Sequence, residues 1–291
     1  MDDALVLCRA LHYGSALILF GIGVFQGWLV TLPLANALEA VLRRIVQLAA
    51  ALAFLSAVAW LLLAVGEMGD GWSDVWNPAT WYSVLADTEF GHVWLLHLLL
   101  GAVLAGLALA RLGGYWRLMS MVSAFYLGSL GFVGHAVMLE GAEGSVSRAS
   151  HVVHLLAGGF WLGALVPLLL CLGKLGDNEL RSDVSDALQG FSGLGHVAVA
   201  AVIASGLINV KLVLGQWPTD TSSPYQVLLL CKLALVAAMI AFAIVNRYVL
   251  VPRTRNGEGA LHGLRLCTLA ELVLGFCVVV LVSLFGTLPP Q

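Results

Sequence analysis

Residues 41–65 read VLRRIVQLAAALAFLSAVAWLLLAV: two arginines near the start, then 21 residues (45–65) without a charge. As a helix those 21 residues rise about 32 Å, enough to cross the ~30 Å hydrocarbon core of a bilayer. The run does not alternate apolar with polar as a half-exposed strand would, and a helix satisfies its own backbone in lipid. Comparable runs recur near 4–30, 90–111, 116–139, 148–172, 190–214, 225–250 and 264–287. The expected fold is therefore all-α: a polytopic membrane helix bundle of eight transmembrane helices, forming a single domain over residues 1–291.

Composition agrees. Of 291 residues 60% are apolar and 11% charged, with a mean hydropathy of +0.94. Soluble domains carry about 25% charged residues, so a water-facing surface cannot be built here and a soluble globular enzyme is excluded. Fourteen Lys and Arg stand against seventeen Asp and Glu with no basic block, which speaks against nucleic acid as a partner. The five cysteines form no C-x-x-C pair, so neither a disulfide framework nor a thiolate metal knuckle is suggested. No Walker-type loop is present. The chain is read as a non-enzyme whose partner is the lipid bilayer. The acidic Met1-Asp2-Asp3 start lacks a signal-peptide n-region, so the first apolar segment is expected to be a retained span.

Basic residues orient the spans. Ten of the fourteen (Arg43, Arg44, Arg111, Arg117, Lys174, Arg181, Arg247, Arg253, Arg255 and Arg265) follow spans one, three, five and seven. The opposite face holds Arg9, Arg148 and Lys211, and Lys232 lies inside span seven. Both termini are thus expected outside, on the periplasmic face. That face is acidic and would concentrate cations. Its one long connection, 66–89, carries Trp72, Trp76 and Trp81, which suits a short helix lying in the interface. A faint internal echo, Arg9-Ala10-Leu11-His12 against Arg148-Ala149-Ser150-His151, would fit a parallel four-plus-four repeat.

The chemistry lies in the histidines. Six of eight, His12, His92, His97, His135, His151 and His154, fall at one level just beneath the outer interface. An imidazole within the bilayer is costly unless it is paired or faces a cavity. His151 and His154 share a helix face, and so do His135 and Met138, whereas His92 and His97 point about 140° apart. Imidazole with occasional thioether, without convergent carboxylates or thiolates, suits copper, and zinc is not excluded by ligand type. The expected metal ligands are His12, His97, His135, His151, His154, Met138 and His92. A second polar level lies toward the cytoplasm. There Glu271 needs a partner, His196 is expected to supply it, and an exit path or proton relay competes with a structural knot. Lys232 is expected nearer the outer side.

The stretch RASHVVHLLAGGFWLG (148–163) resembles the signature of the copper resistance D (CopD/PcoD) family of bacterial inner-membrane proteins. The likeness extends through Asp87-Thr88-Glu89-Phe90-Gly91 with Trp94, Gly134-His135-Ala136, Ser205-Gly206, Leu229-Leu230-Cys231-Lys232, Asn246-Arg247 and Glu271. The resemblance implies an inner-membrane protein of copper homeostasis that moves copper, of unknown oxidation state, and works with a separate periplasmic CopC-like copper-binding protein. It carries over His151, His154, Trp161, His135, Lys232 and Glu271 as matching positions. Two other readings of the same residues stay open. One is a haem b-binding electron-transfer protein with paired axial histidines; the other is a copper-delivery scaffold without transport.

Overall fold

The structure, a computed structural model, describes residues 2–110, 114–134, 138–253 and 258–289. Every regular element among them is helical. Helix α1 (Asp2–Val24) runs on through a π turn at Phe25–Leu29. It is followed by α2 (Leu32–Met68), α3 (Pro78–Asp87), α4 (Glu89–Leu109), α5 (Tyr115–Ser129), α6 (Gly141–Leu172), α7 (Arg181–Leu214) and α8 (Pro224–Val245). A second π turn, Asn246–Leu250, links α8 to the short α9 (Val251–Arg253), and α10 (Glu258–Phe285) closes the chain.

Among the described residues seven segments are long and apolar enough to cross a membrane: α1, α2, α4, α6, α7, α8 with its continuation, and α10. The fourth expected span, 116–139, is the exception. It yields the 15-residue α5 and a 3-10 turn at Leu130–Phe132. The helix ends there because α6 crosses against it: a Cβ on Gly131 would lie 2.5 Å from the Val152 side chain. Gly134, at φ +75°, then turns the chain away. Helix α6 runs unbroken through Pro167.

Helix α1 is the hub, packed against α2, α5, α6 and α10. Its seam with α6 is backbone on backbone. A Cβ on Gly163 would meet the Leu17 carbonyl oxygen at 2.1 Å, and one on Gly21 would meet the Gly163 carbonyl carbon at 2.2 Å. Small residues admit this approach, and dispersion between the two backbones takes the place of a hydrophobic drive that lipid does not supply.

Arginines tie off helix ends. At one end of the bundle Arg43 donates to the Ala110 carbonyl (3.2 Å), Arg117 to Gly27 (3.1 Å) and Arg265 to Leu172 (2.8 Å). These carbonyls have run out of intrahelical partners, and a cation there also suits the helix dipole. At the other end Arg9 donates to the Gly286 carbonyl (3.1 Å), joining the start of α1 to the end of α10. The long connection contains the short helix α3. Asn77 caps α3, the Trp81 indole donates to Val75, and Trp76 is 86% exposed.

Candidate metal centre

Four helices bring together two of the seven expected ligands. His12 on α1 and His97 on α4 are fully buried, with Nε2 atoms 2.9 Å apart. Each ring is fixed by a serine through its other nitrogen. His12 Nδ1 lies 3.0 Å from Ser56 Oγ on α2, and His97 Nδ1 lies 2.7 Å from Ser129 Oγ on α5. The serine protons are already committed. Ser56 donates to the Leu52 carbonyl (2.6 Å) and Ser129 to the Tyr126 carbonyl (2.8 Å), the back-bonding usual for serine inside a helix. With each serine proton placed on its own helix's carbonyl, both imidazoles donate from Nδ1. Two Nε2 lone pairs then face each other at hydrogen-bonding distance with no proton of their own to share.

The walls are aromatic. Tyr126 stacks on His97 with centroids 3.9 Å apart, and Trp94 stacks on its other side at 4.9 Å. Trp60 meets His12 edge-on at 5.6 Å. Aromatic faces carry the negative end of a quadrupole and attract cations. The Trp94 indole and the Tyr126 hydroxyl are tied to the Ala57 and Ala53 carbonyls of α2 (3.0 Å each), so the box is held rigid.

The remaining expected ligands do not share this geometry. His92 is exposed and bonds the Ala86 carbonyl at 2.9 Å, because five residues of helix turn it away from His97. Met138 is exposed in the turn before α6. His135 lies outside the described residues. His154 bonds Ser205 Oγ on α7 at 3.0 Å, with His151 and Lys232 in electrostatic range. Among the described residues no three His, Cys, Asp or Glu side chains group as a metal site.

The inner level is also rearranged. Glu271, 2% exposed, accepts from Asn246 Nδ2 at 2.5 Å, and the Trp161 indole bonds the same carboxyl group. His196 instead bonds Tyr248 Oη (3.1 Å) and the Ser192 carbonyl (2.6 Å). The expected Glu271–His196 contact is replaced because Asn246 sits on the π turn, whose extra residue redirects its side chain inward. All of these groups line one cavity of about 450 Å³ between α6, α7, α8 and α10.

Ser56, Ser129, Trp94, Trp60 and Tyr126 were not singled out by sequence reasoning as parts of a site. The available signal was modest: Ser56 and Ser129 are polar residues within otherwise apolar runs.

Residues 1–146 match the family described as copper resistance protein D-like, N-terminal domain, and residues 185–285 match copper resistance protein D. This chain belongs to the copper resistance protein D family. It is 37% identical over 286 residues to the inner membrane protein YebZ of Escherichia coli K12, covering 98% of each chain. Over a 310-residue alignment it is 31% identical to copper resistance protein D of Pseudomonas syringae pv. tomato, covering 100% of this chain and 98% of that one. No solved structure matches. Membership of the copper resistance protein D family gives this membrane protein a role in copper handling.

Proposed function

We propose that this protein carries copper across the bacterial inner membrane, receiving it at the His12–His97 pair, and so contributes to copper homeostasis or resistance. The observation that supports this most is the 2.9 Å gap between two fully buried Nε2 atoms whose rings are each held by a serine at Nδ1. Lone pairs so close repel unless a cation lies between or beside them. Nitrogen ligands about 2.0–2.1 Å from a first-row metal, at a right angle, lie about 2.9 Å apart. A tetrahedral angle would separate them by about 3.4 Å and a linear one by about 4.1 Å. The two lone pairs point at each other, so an ion enters between them only as the rings turn or part, by about 1 Å for a linear Cu(I). Haem b fits less well, because its axial imidazoles lie on opposite sides of the iron.

In this reading eight segments cross the membrane, α5 with its 3-10 turn being the shortest, and both termini face the periplasm. His92, His135 and Met138, with the acidic outer connections, gather the ion from a periplasmic CopC-like protein. The ion leaves through the cavity lined by Glu271, Trp161 and His196, with Lys232 as a fixed charge beside the route. The names of the relatives support the membrane and the cargo.

The test is copper and iron per chain in detergent-purified protein after growth in copper, followed by copper flux in proteoliposomes. About one copper per chain, lost in a folded His97→Gln variant, is the expected result. Stoichiometric iron with a Soret band would replace copper by haem. A folded wild-type protein without either metal would overturn the reading.

A further inference from the structure

The His12–His97 centre has a counterpart in the second half of the bundle. On α1, His12 bonds Ser56 of α2 at 3.0 Å, and one turn earlier Cys8 Sγ donates to the Ser56 carbonyl at 3.1 Å. On α6, His154 bonds Ser205 of α7 at 3.0 Å, and one turn earlier Ser150 Oγ donates to the Ser205 carbonyl at 3.1 Å. Both serines return their own protons to carbonyls three and four residues back. The residues nine beyond His12 and His154 are Gly21 and Gly163, where α1 and α6 touch. Equivalent positions meet in this way on a two-fold-like axis. His12 therefore corresponds to His154, one turn further along than the Arg-Ala-Leu-His and Arg-Ala-Ser-His echo implies.

The next matching helices complete the comparison. Thr88 caps α4 and Ser223 caps α8, each accepting from the backbone N–H three residues on. Nine residues beyond the caps stand His97 and Lys232. Lys232 acts electrostatically on His154 and lies 5.9 Å over the Phe285 ring of α10. At the position matching His97, the second half presents an ammonium.

We propose that His154, Ser205 and Lys232 form a second copy of the cation site, in which the Lys232 ammonium occupies the place that a diffusible cation takes between His12 and His97. With the Ser205 proton on the Ala201 carbonyl, His154 donates from Nδ1 and keeps its lone pair on Nε2. An ammonium carries three donors and a full charge, so in the proposed site it serves that lone pair without any bound metal. The first half stays open to copper and the second is closed by its own side chain. This inference rests on the copper reading of the first half, and it sets the capacity at one ion per chain.

The test is copper bound per chain in full-length protein in detergent, measured after Cu(II) loading and removal of loosely held metal by a weak chelator. Lys232→His supplies the missing imidazole and is expected to gain one equivalent over wild type. Lys232→Met removes the charge without supplying a ligand and is expected to gain none. His12→Gln combined with Lys232→His is expected to keep one equivalent, held in the second half. A monodisperse Lys232→His protein with no gain over wild type overturns the proposal. The wild-type count itself tests the copper reading separately. The reciprocal variant, His97→Lys, keeps the proposal testable if Lys232→His does not fold. It is expected to yield folded protein without copper, and its failure to fold alongside a folded His97→Gln would overturn the proposal.

Discussion

Replacing Ser129 by alanine tests the logic of the paired lone pairs most directly. The serine holds the His97 Nδ1 proton through a 2.7 Å bond, and its own proton is committed to Tyr126. Without the hydroxyl, His97 is free to carry its proton on Nε2. From there it would donate across 2.9 Å to His12 Nε2. The pair would then satisfy itself and no longer need a cation. Outer hydrogen-bond partners of metal-binding histidines typically account for about 10–100-fold in affinity, which is about 1.4–2.8 kcal/mol. The stability change should be smaller, because hydrogen bonds within membranes average about 0.6 kcal/mol and the new bond between the rings offsets the lost one. The expected outcome of Ser129→Ala is thus a copper affinity weaker by one to two decades, measured by chelator competition, in a protein whose unfolding midpoint barely moves. Ser205→Ala, which removes the equivalent hydroxyl beside His154, should leave copper affinity unchanged. Unaltered copper binding in Ser129→Ala, or an equal loss in Ser205→Ala, would refute the reasoning.

The α1–α6 seam predicts that Gly163→Ala destabilises by about 1–3 kcal/mol through overpacking, read as a lowered thermal midpoint in detergent. Gly158→Ala, where an added methyl meets nothing within 4 Å, should leave the midpoint in place. Glu271→Gln keeps an acceptor for Asn246 and should slow copper flux in proteoliposomes while sparing copper stoichiometry; equal flux in both proteins would confine Glu271 to structure. Cysteines introduced at the two termini should react with a membrane-impermeant reagent added from the periplasmic side, and labelling of one terminus only would contradict an even number of crossings.

Much of the architecture was legible in the chain itself, because lipid imposes a one-dimensional constraint. A crossing helix must be about 20 residues of apolar side chain, and runs such as 45–65 state this without reference to any neighbour. The same constraint makes an imidazole inside a span conspicuous, so His12, His97 and His154 could be picked out by type and depth. Helical geometry alone also separated His92 from His97. What remained hidden was which of these groups meet. His12 and His97 are 85 residues apart, and they converge only because α1, α2, α4 and α5 pack so that Ser56, Ser129, Trp94 and Tyr126 surround the pair. Their depth in the membrane matched that expected of His154 equally well, and depth carries no information on azimuth. Likewise Glu271 and His196 share a level and line one cavity, but a π turn at Asn246 decided the partner of the carboxyl group. The end of α5 at Ser129 was set by the crossing of α6 at Gly131 and Val152 rather than by any loss of apolar character. Solvent transfer is a property of each residue and can be read in order along the chain. Side-chain encounter depends on helix rotation and crossing, which are fixed by glycine contacts and hydrogen bonds between segments distant in sequence, and only the tertiary structure contains them.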